Sequence, residues 1–288
     1  LLLPLAMPAY VTAYAYTDFL QFSGPLQVGL RNTFGLEGRL LPEVRSLGGA
    51  VWVFIFSLYP YVYLLARTAL GERAAHLMEA ARLLGAPLPR RIRAVALPLA
   101  RPAVAAGVAL ALMETLADFG VASYFGIQTF TTGIYKAWLS MDNRLAAAQL
   151  ATMLLVVVMA LLHLEHRAQK RMRFATGGGR AGSAEAQPLA LRGASRWAAW
   201  LVCAVPVLMG FVAPVIFMLR PLAADWSVLP WERFMEWAWH SVRLGGITAA
   251  LAVVMAVALA FAVRRQPDAI TRGVVQLASL GYAVPGAV

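Results

Sequence analysis

Charge is what this chain has least of: Asp, Glu, Lys and Arg make up only 14% of its 288 residues, apolar residues make up 60%, and mean hydropathy is +0.67. A soluble domain carries roughly 25% charged residues, so the composition points to a membrane protein. Cysteine is nearly missing. The single Cys203 lies inside an apolar run, which excludes an intramolecular disulfide and a cysteine cluster for zinc. There is no initiator Met and no basic n-region before LLLPLAMPAY, and the chain stops in mid-pattern at GYAVPGAV. We expect both ends to be cut from a longer protein, with no signal peptide. A phosphate-binding loop is missing too, because the GGGR at 177–180 lacks the Lys followed by Ser or Thr that GxxxxGK[ST] requires. No nucleophile has a histidine at workable spacing, which sets aside a membrane-embedded hydrolase. His76, His163, His166 and His240 form no spaced ligand set.

What the chain does have is long apolar runs separated by basic stretches. A spanning helix needs about 20 mostly apolar residues, and five complete candidates lie at 47–69, 102–124, 147–164, 197–219 and 239–263, with truncated ones at 1–20 and 273–288. The formal charge of +11 would suggest nucleic acid in a soluble protein. Here the arginines fall in 70–101, 165–196 and 264–272, while 21–46, 125–146 and 220–238 are nearly balanced. With the basic stretches inside, all seven spans alternate direction without conflict. This is the sequence of an all-α polytopic membrane protein, with lipid as a partner and no nucleic acid.

The stretch ATGGGRAGSAEAQPLALRGAS at 175–195 has little apolar periodicity and reads as part of a cytoplasmic linker, 165–196. The two ends resemble one another through Leu3/Leu280, Ala6/Ala283, Pro8/Pro285 and Val11/Val288. Together these features divide the chain into 1–164, a membrane unit lacking its first spans, and 197–288, the truncated start of a second copy.

Between the first two complete spans stands EAARLLGAPLPRRIRAVALP, residues 79–98. Arginine costs about 2.5–3.5 kcal/mol at the centre of a spanning helix, so Arg90, Arg91, Arg93 and Arg101 exclude this segment from lipid. Apolar Ala74, Leu77, Met78, Ala81 and Leu84 recur at helical spacing with Glu72, His76, Glu79 and Arg82 opposite. Gly85 suits a left-handed helix end, with Pro87 just beyond. A second helix follows with Ile92, Val95, Ala96 and Leu99 on one face, closed by Pro98 and Pro102. The segment reads either as a connector resting on the membrane or as a docking helix whose stripe enters a partner's groove. A nucleic-acid patch fits less well, because no aromatics interleave with the arginines.

The segment resembles the signature of permease subunits of binding-protein-dependent ABC importers: EAA, three residues, Gly, nine residues, I-x-L-P. The matching positions are Glu79, Ala80, Ala81, Gly85, Val95, Leu97 and Pro98, with Val95 replacing Ile. The resemblance implies the ABC importer permease fold with a cytoplasmic coupling helix. It further implies docking to two copies of an ATP-binding subunit, an extracytoplasmic substrate-binding protein, and a bacterial inner-membrane location. It implies no enzyme activity and no cofactor in this chain, since ATP and Mg belong to the partner.

Glu114 and Asp118 are four apart in the following apolar run and are expected on one helical face. Intramembrane carboxylates usually face a pathway or a polar partner. Tyr124, Thr129, Thr131, Thr132 and Tyr135 are expected near the outer face. ADFGVASYFGIQTFTTGIYKAWLSM, AAAQLA and YAYTDFLQFSGP are similar to ferric-iron importer permeases, which are fused double permeases. A hard cation favours oxygen ligands, which makes Asp18, Glu114, Asp118 and Tyr124 the pathway candidates. Thiamine, polyamine or phosphonate permeases share the coupling loop, and a secondary transporter would also accommodate the twofold repeat.

Overall fold

The structure, a computed structural model, describes residues 1–71, 75–174, 193–265, 268, 271 and 273–275. Every regular element among them is helical, and five helices are long and apolar enough to cross a membrane. The described residues form two compact units, Leu1–Met218 and the residues from Leu219 onward.

In the first unit the element nearest to its sequence expectation is α3, Leu47–Ala69. The Ser46 hydroxyl accepts from the Gly49 amide at 3.2 Å and so fixes where the helix starts. Against it packs α6, Leu97–Ala117. Lipid is as apolar as leucine, so helices in a membrane associate through close backbone approach at small residues. α6 supplies them as buried Ala100, Ala103, Ala106, Gly107 and Ala109. A Cβ at Gly107 would stand only 2.6 Å from the Val62 Cα, so this crossing requires glycine. α9, Arg144–Phe174, packs on α6 in turn.

Several predicted boundaries move, each for a physical reason. The span expected at 1–20 is broken: a short 3-10 turn at Leu3–Ala6 precedes Met7, which is extended ahead of Pro8 as proline's clash with the preceding residue requires. α1 is then only Ala9–Leu20. The span expected at 102–124 ends at Ala117, because Asp118 leaves the helix with ψ 127. Pro98 and Pro102 do not close a helix as expected. α5, Leu88–Arg91, runs through a π-turn at Ile92–Ala96 into α6, giving one continuous helix from Leu88 to Ala117. The Leu97 amide reaches back to the Ile92 carbonyl, and this widened turn makes room for the Pro98 ring immediately after it. α9 continues ten residues past the expected span end at 164, since arginine and lysine end an apolar run without ending a helix.

Residues 194–218 complete the first unit. α10, Ala194–Val207, leads through a π-turn at Leu208–Val212 into α11, Ala213–Ala224. Tyr16 of α1 donates to the Met209 carbonyl at 2.7 Å, and the Phe19 and Phe217 rings stack at 3.9 Å. A Cβ at Gly210 would meet the Phe56 carbonyl oxygen at 2.4 Å. Pro60 has no N–H to offer that carbonyl four residues back, so the closest approach occurs where α3's own ladder is open. The stretches 175–192 and 276–288, which carry most of the expected linker and the C-terminal half of the end-to-end similarity, lie outside the described residues.

In the second unit, α12 runs from Trp231 to Arg265, against an expected 239–263. Its 35 residues would be about 52 Å long at 1.5 Å per residue, and no side chain on it is buried. Trp231 donates through its indole to the Trp226 carbonyl at 3.2 Å.

Candidate functional site

The segment at 75–98, expected on the cytoplasmic side, is built as a helix, a glycine turn and a helix. α4, Ala75–Leu83, ends where the Gly85 amide bonds the Arg82 carbonyl and the Ala86 amide bonds the Ala81 carbonyl, both at 3.0 Å. That pair of bonds is a Schellman cap, which needs a left-handed residue after the helix. Gly85 provides it with φ of +76°. The space around Gly85 is open, so the requirement lies in the backbone conformation. Pro87 then opens α5, accepting from the Arg90 and Arg91 amides.

This turn leaves an exposed apolar face. Leu77, Leu83 and Leu84 are 52%, 85% and 88% exposed, and Glu79, Ala80 and Arg82 are exposed beside them. Met78 and Ala81 are half-buried, so the apolar stripe read from the sequence divides into a seated part and an open part. Glu72 and Ala74 lie outside the described residues. In the second arm Val95 is half-buried, while Leu97 and Pro98 are exposed.

The pathway candidates do not form a single cluster. Glu114 and Asp118 do not share a helical face, because the helix ends between them. Glu114 lies beside Tyr61 of α3. Asp118 accepts from the amides of Val121 and Ala122 at 2.9 and 3.3 Å and so caps α7, Gly120–Phe125. The threonines downstream are engaged in the same way. Thr129 and Thr132 form a capping box on α8, Phe130–Tyr135, and fully buried Thr131 donates to the Asp118 carbonyl at 2.7 Å.

Asp18 and Tyr124 have different surroundings. Tyr124, near the end of α7, lies 5.9 Å from the Tyr14 ring of α1, with the Arg45 guanidinium 4.4 Å over its face. Asp18 is half-buried on α1, two turns beyond Tyr10 and one beyond Tyr14. The sequence reading named Asp18 and Tyr124 but passed over Tyr10, Tyr14, Tyr61 and Arg45. The spacing of Tyr10, Tyr14 and Asp18, four residues apart, was the available signal. Among the described residues no three His, Cys, Asp or Glu side chains are grouped to hold a metal ion.

Over residues 5–173 the chain matches the family described as the binding-protein-dependent transport system inner membrane component, and it belongs to that family. It is thus an ABC importer permease by family, a multi-pass inner-membrane protein and not an enzyme. Among its relatives is a protein named as a 2-aminoethylphosphonate transport system permease, from Salmonella paratyphi A, 27% identical over 58% of this chain and 59% of the relative. A ferric-iron transport system permease of Haemophilus influenzae is 24% identical over 99% of this chain and 53% of its own length. An inner membrane ABC transporter permease of Escherichia coli is 32% identical over 56% of this chain and 55% of its own. The chain spans little more than half the length of these relatives.

Proposed function

We propose that this chain is part of a fused double permease that carries ferric iron, delivered by an extracytoplasmic binding protein, into the cytoplasm by alternating access. In this reading 1–164 belongs to the first permease unit, 165–196 to a linker and 197–288 to the start of the second. Two copies of an ATP-binding subunit, holding ATP and Mg, drive the cycle, and one docks on Glu79, Ala80, Ala81 and Gly85 with Val95, Leu97 and Pro98 in the second arm.

The observation that carries the reading is the cytoplasmic segment. It ends in a Schellman cap that holds exposed leucines away from the bundle, and its second arm continues without a break into α6. A push on α4 and α5 therefore has a helix along which to travel. For the cargo, the ferric-iron relative aligns with almost the whole chain, both sides of the linker included. The phosphonate and molybdenum relatives align with a little more than half of it. Those same relatives favour an oxyanion as the second reading.

The test is uptake of radiolabelled ferric iron, 2-aminoethylphosphonate and molybdate by cells whose only copy of this permease is the full-length protein. ATP-dependent uptake of iron alone is the expected outcome, and Glu79→Lys should lower it about tenfold or more by opposing the docking charge. Uptake of an oxyanion in its place would overturn the iron reading. Iron transport that persists without the ATP-binding subunit would make the protein a secondary transporter.

A further inference from the structure

α1, α3 and the 194–218 helix meet at a crossing where two of the three hydrogen-bond ladders are broken. In α3 buried Pro60 denies the Phe56 carbonyl its ladder amide, and Gly210 of the facing π-turn lies against that carbonyl. In the π-turn the Ala213 amide bonds the Leu208 carbonyl, and the next residue, Pro214, has no N–H. The Met209 carbonyl is therefore left over, and Tyr16 of α1 donates to it at 2.7 Å.

Two hydroxyls on the same helices are left over as well. Among the described residues, the buried side-chain oxygens without a hydrogen-bond partner are Thr12 Oγ1 and Ser57 Oγ. Thr12, 0% exposed, stands one turn before Tyr16 and so on the same face of α1. Ser57, 3% exposed, follows Phe56 on the buried stripe of Ala50, Val53 and Pro60. Threonines elsewhere in these spans are paired: Thr17, Thr68, Thr115 and Thr152 each donate to the carbonyl one turn back. For Thr12 that carbonyl belongs to Pro8 and already accepts from the Val11 and Thr12 amides. A hydroxyl sealed from water and unpaired costs about as much as a lost hydrogen bond, and a membrane interior holds no bulk water to relieve it.

We infer that this crossing is a two-position contact of the transport cycle: the Tyr16–Met209 bond holds the position seen here, and Thr12 and Ser57 are paired in the other, which α1 reaches by sliding between α3 and the 194–218 helix. The inference rests on alternating access and not on the identity of the cargo. Packed helices shear between discrete arrangements, and the Phe56 carbonyl is the spare acceptor at hand. Two unpaired hydroxyls raise the energy of the present position while Tyr16 lowers it. The two positions thereby stay close enough in free energy for nucleotide and binding protein to shift the population between them.

The test uses the full-length protein with its ATP-binding subunits. The double variant Thr12→Val and Ser57→Ala nearly keeps side-chain shape, and it removes the penalty of the present position together with the bonds of the other. Its melting temperature should hold or rise by up to a few degrees. ATP-dependent uptake of whichever labelled substrate the parent imports, ferric iron, 2-aminoethylphosphonate or molybdate, should fall about fivefold or more. Thr17→Val, which removes a bond already made on the same helix, should melt below the parent and transport like it. Spin labels at Tyr14→Cys and Ile55→Cys in a Cys203→Ser background read the two positions directly. The parent should show two distances during ATP turnover, the double variant should be confined to one of them, and Tyr16→Phe should be enriched in the other. A double variant that imports at the parental rate overturns the contact. So does one that melts lower, as it would if an internal water already bonded both hydroxyls, and so does a single distance in every variant. A parent without ATP-dependent uptake overturns the importer reading, and the contact with it.

Discussion

The turn at 118–135, expected on the outer side, and the turn at 75–98, expected on the cytoplasmic side, are both short helices joined at a left-handed glycine, Gly126 at φ +72° and Gly85 at φ +76°. Their side chains are used in opposite ways. In the outer turn Asp118, Thr129, Thr131 and Thr132 bond neighbouring backbone or one another, and Val121 and Phe125 are buried in the core. In the cytoplasmic turn the backbone closes its own cap and leaves Leu77, Leu83 and Leu84 open. A polar side chain spent on local architecture fixes a shape. An apolar one left exposed next to a self-sufficient cap is available to something else. Stability and coupling should therefore separate between the two turns, with the α3–α6 crossing as the stability-only extreme.

The largest loss is expected at that crossing. Gly107→Val puts a branched side chain against the Val62 backbone at 2.6 Å, which no rotamer change relieves. It should cost about 3 kcal/mol, the upper end for overpacking, read as a fall in folded protein in the membrane and in melting temperature. Gly210→Val should loosen residues 194–218 from α3 within the first unit through the same kind of clash with Phe56. A variant of either glycine that melted with the parent would mean that the crossing tolerates separation.

Next comes Asp118. Removing a helix cap costs about 1 kcal/mol, so Asp118→Ala should lower the melting temperature by roughly 2–4 °C in a protein of this size. Asp118→Asn keeps an acceptor oxygen for Val121 and Ala122 and should melt within a degree or so of the parent. If Asp118→Asn melts normally but loses transport, the outer turn is not spent on architecture alone and the contrast breaks. Gly85→Ala, which forces a Cβ into a left-handed conformation, should cost about 1 kcal/mol, confined to α4 and read as faster amide exchange there.

These positions also show how far sequence reasoning reaches. Gly85 and its cap were legible because helix ends have local rules, and 47–69 was legible because its polar start, Ser46, coincides with its apolar boundary. The prolines misled: Pro98 and Pro102 carry the usual signal for stopping a helix, but a π-turn absorbs Pro98, α6 runs on through Pro102, and nothing in hydropathy marks a π-turn. Asp118 misled in the other direction, because apolar residues continue past it while the helix does not. The burial of α1 was hidden for a different reason. It comes from what packs on the helix, and α3, α7 and the 194–218 helix approach it from 30 to almost 200 residues away in sequence.

Leu84→Ala should have the smallest effect on stability and is the sharpest test of the contrast. Leu84 is 88% exposed, and its amide bonds the Ala80 carbonyl whatever the side chain. Exposed substitutions away from caps and cores usually stay within about 0.5 kcal/mol, so the melting temperature should not move measurably. The same truncation removes apolar surface from the face assigned to docking. Interface leucines of this kind cost on the order of 1 kcal/mol when cut back, a severalfold loss of affinity. Binding of the ATP-binding subunit to the purified full-length permease should weaken accordingly, and ATP-dependent uptake should fall with it. Leu77→Ala, with the same chemistry two turns earlier and 52% exposure, should behave alike. If both leucine variants bind the subunit as the parent does, the open face is a membrane-resting connector, and the difference between the two turns is one of solvation only.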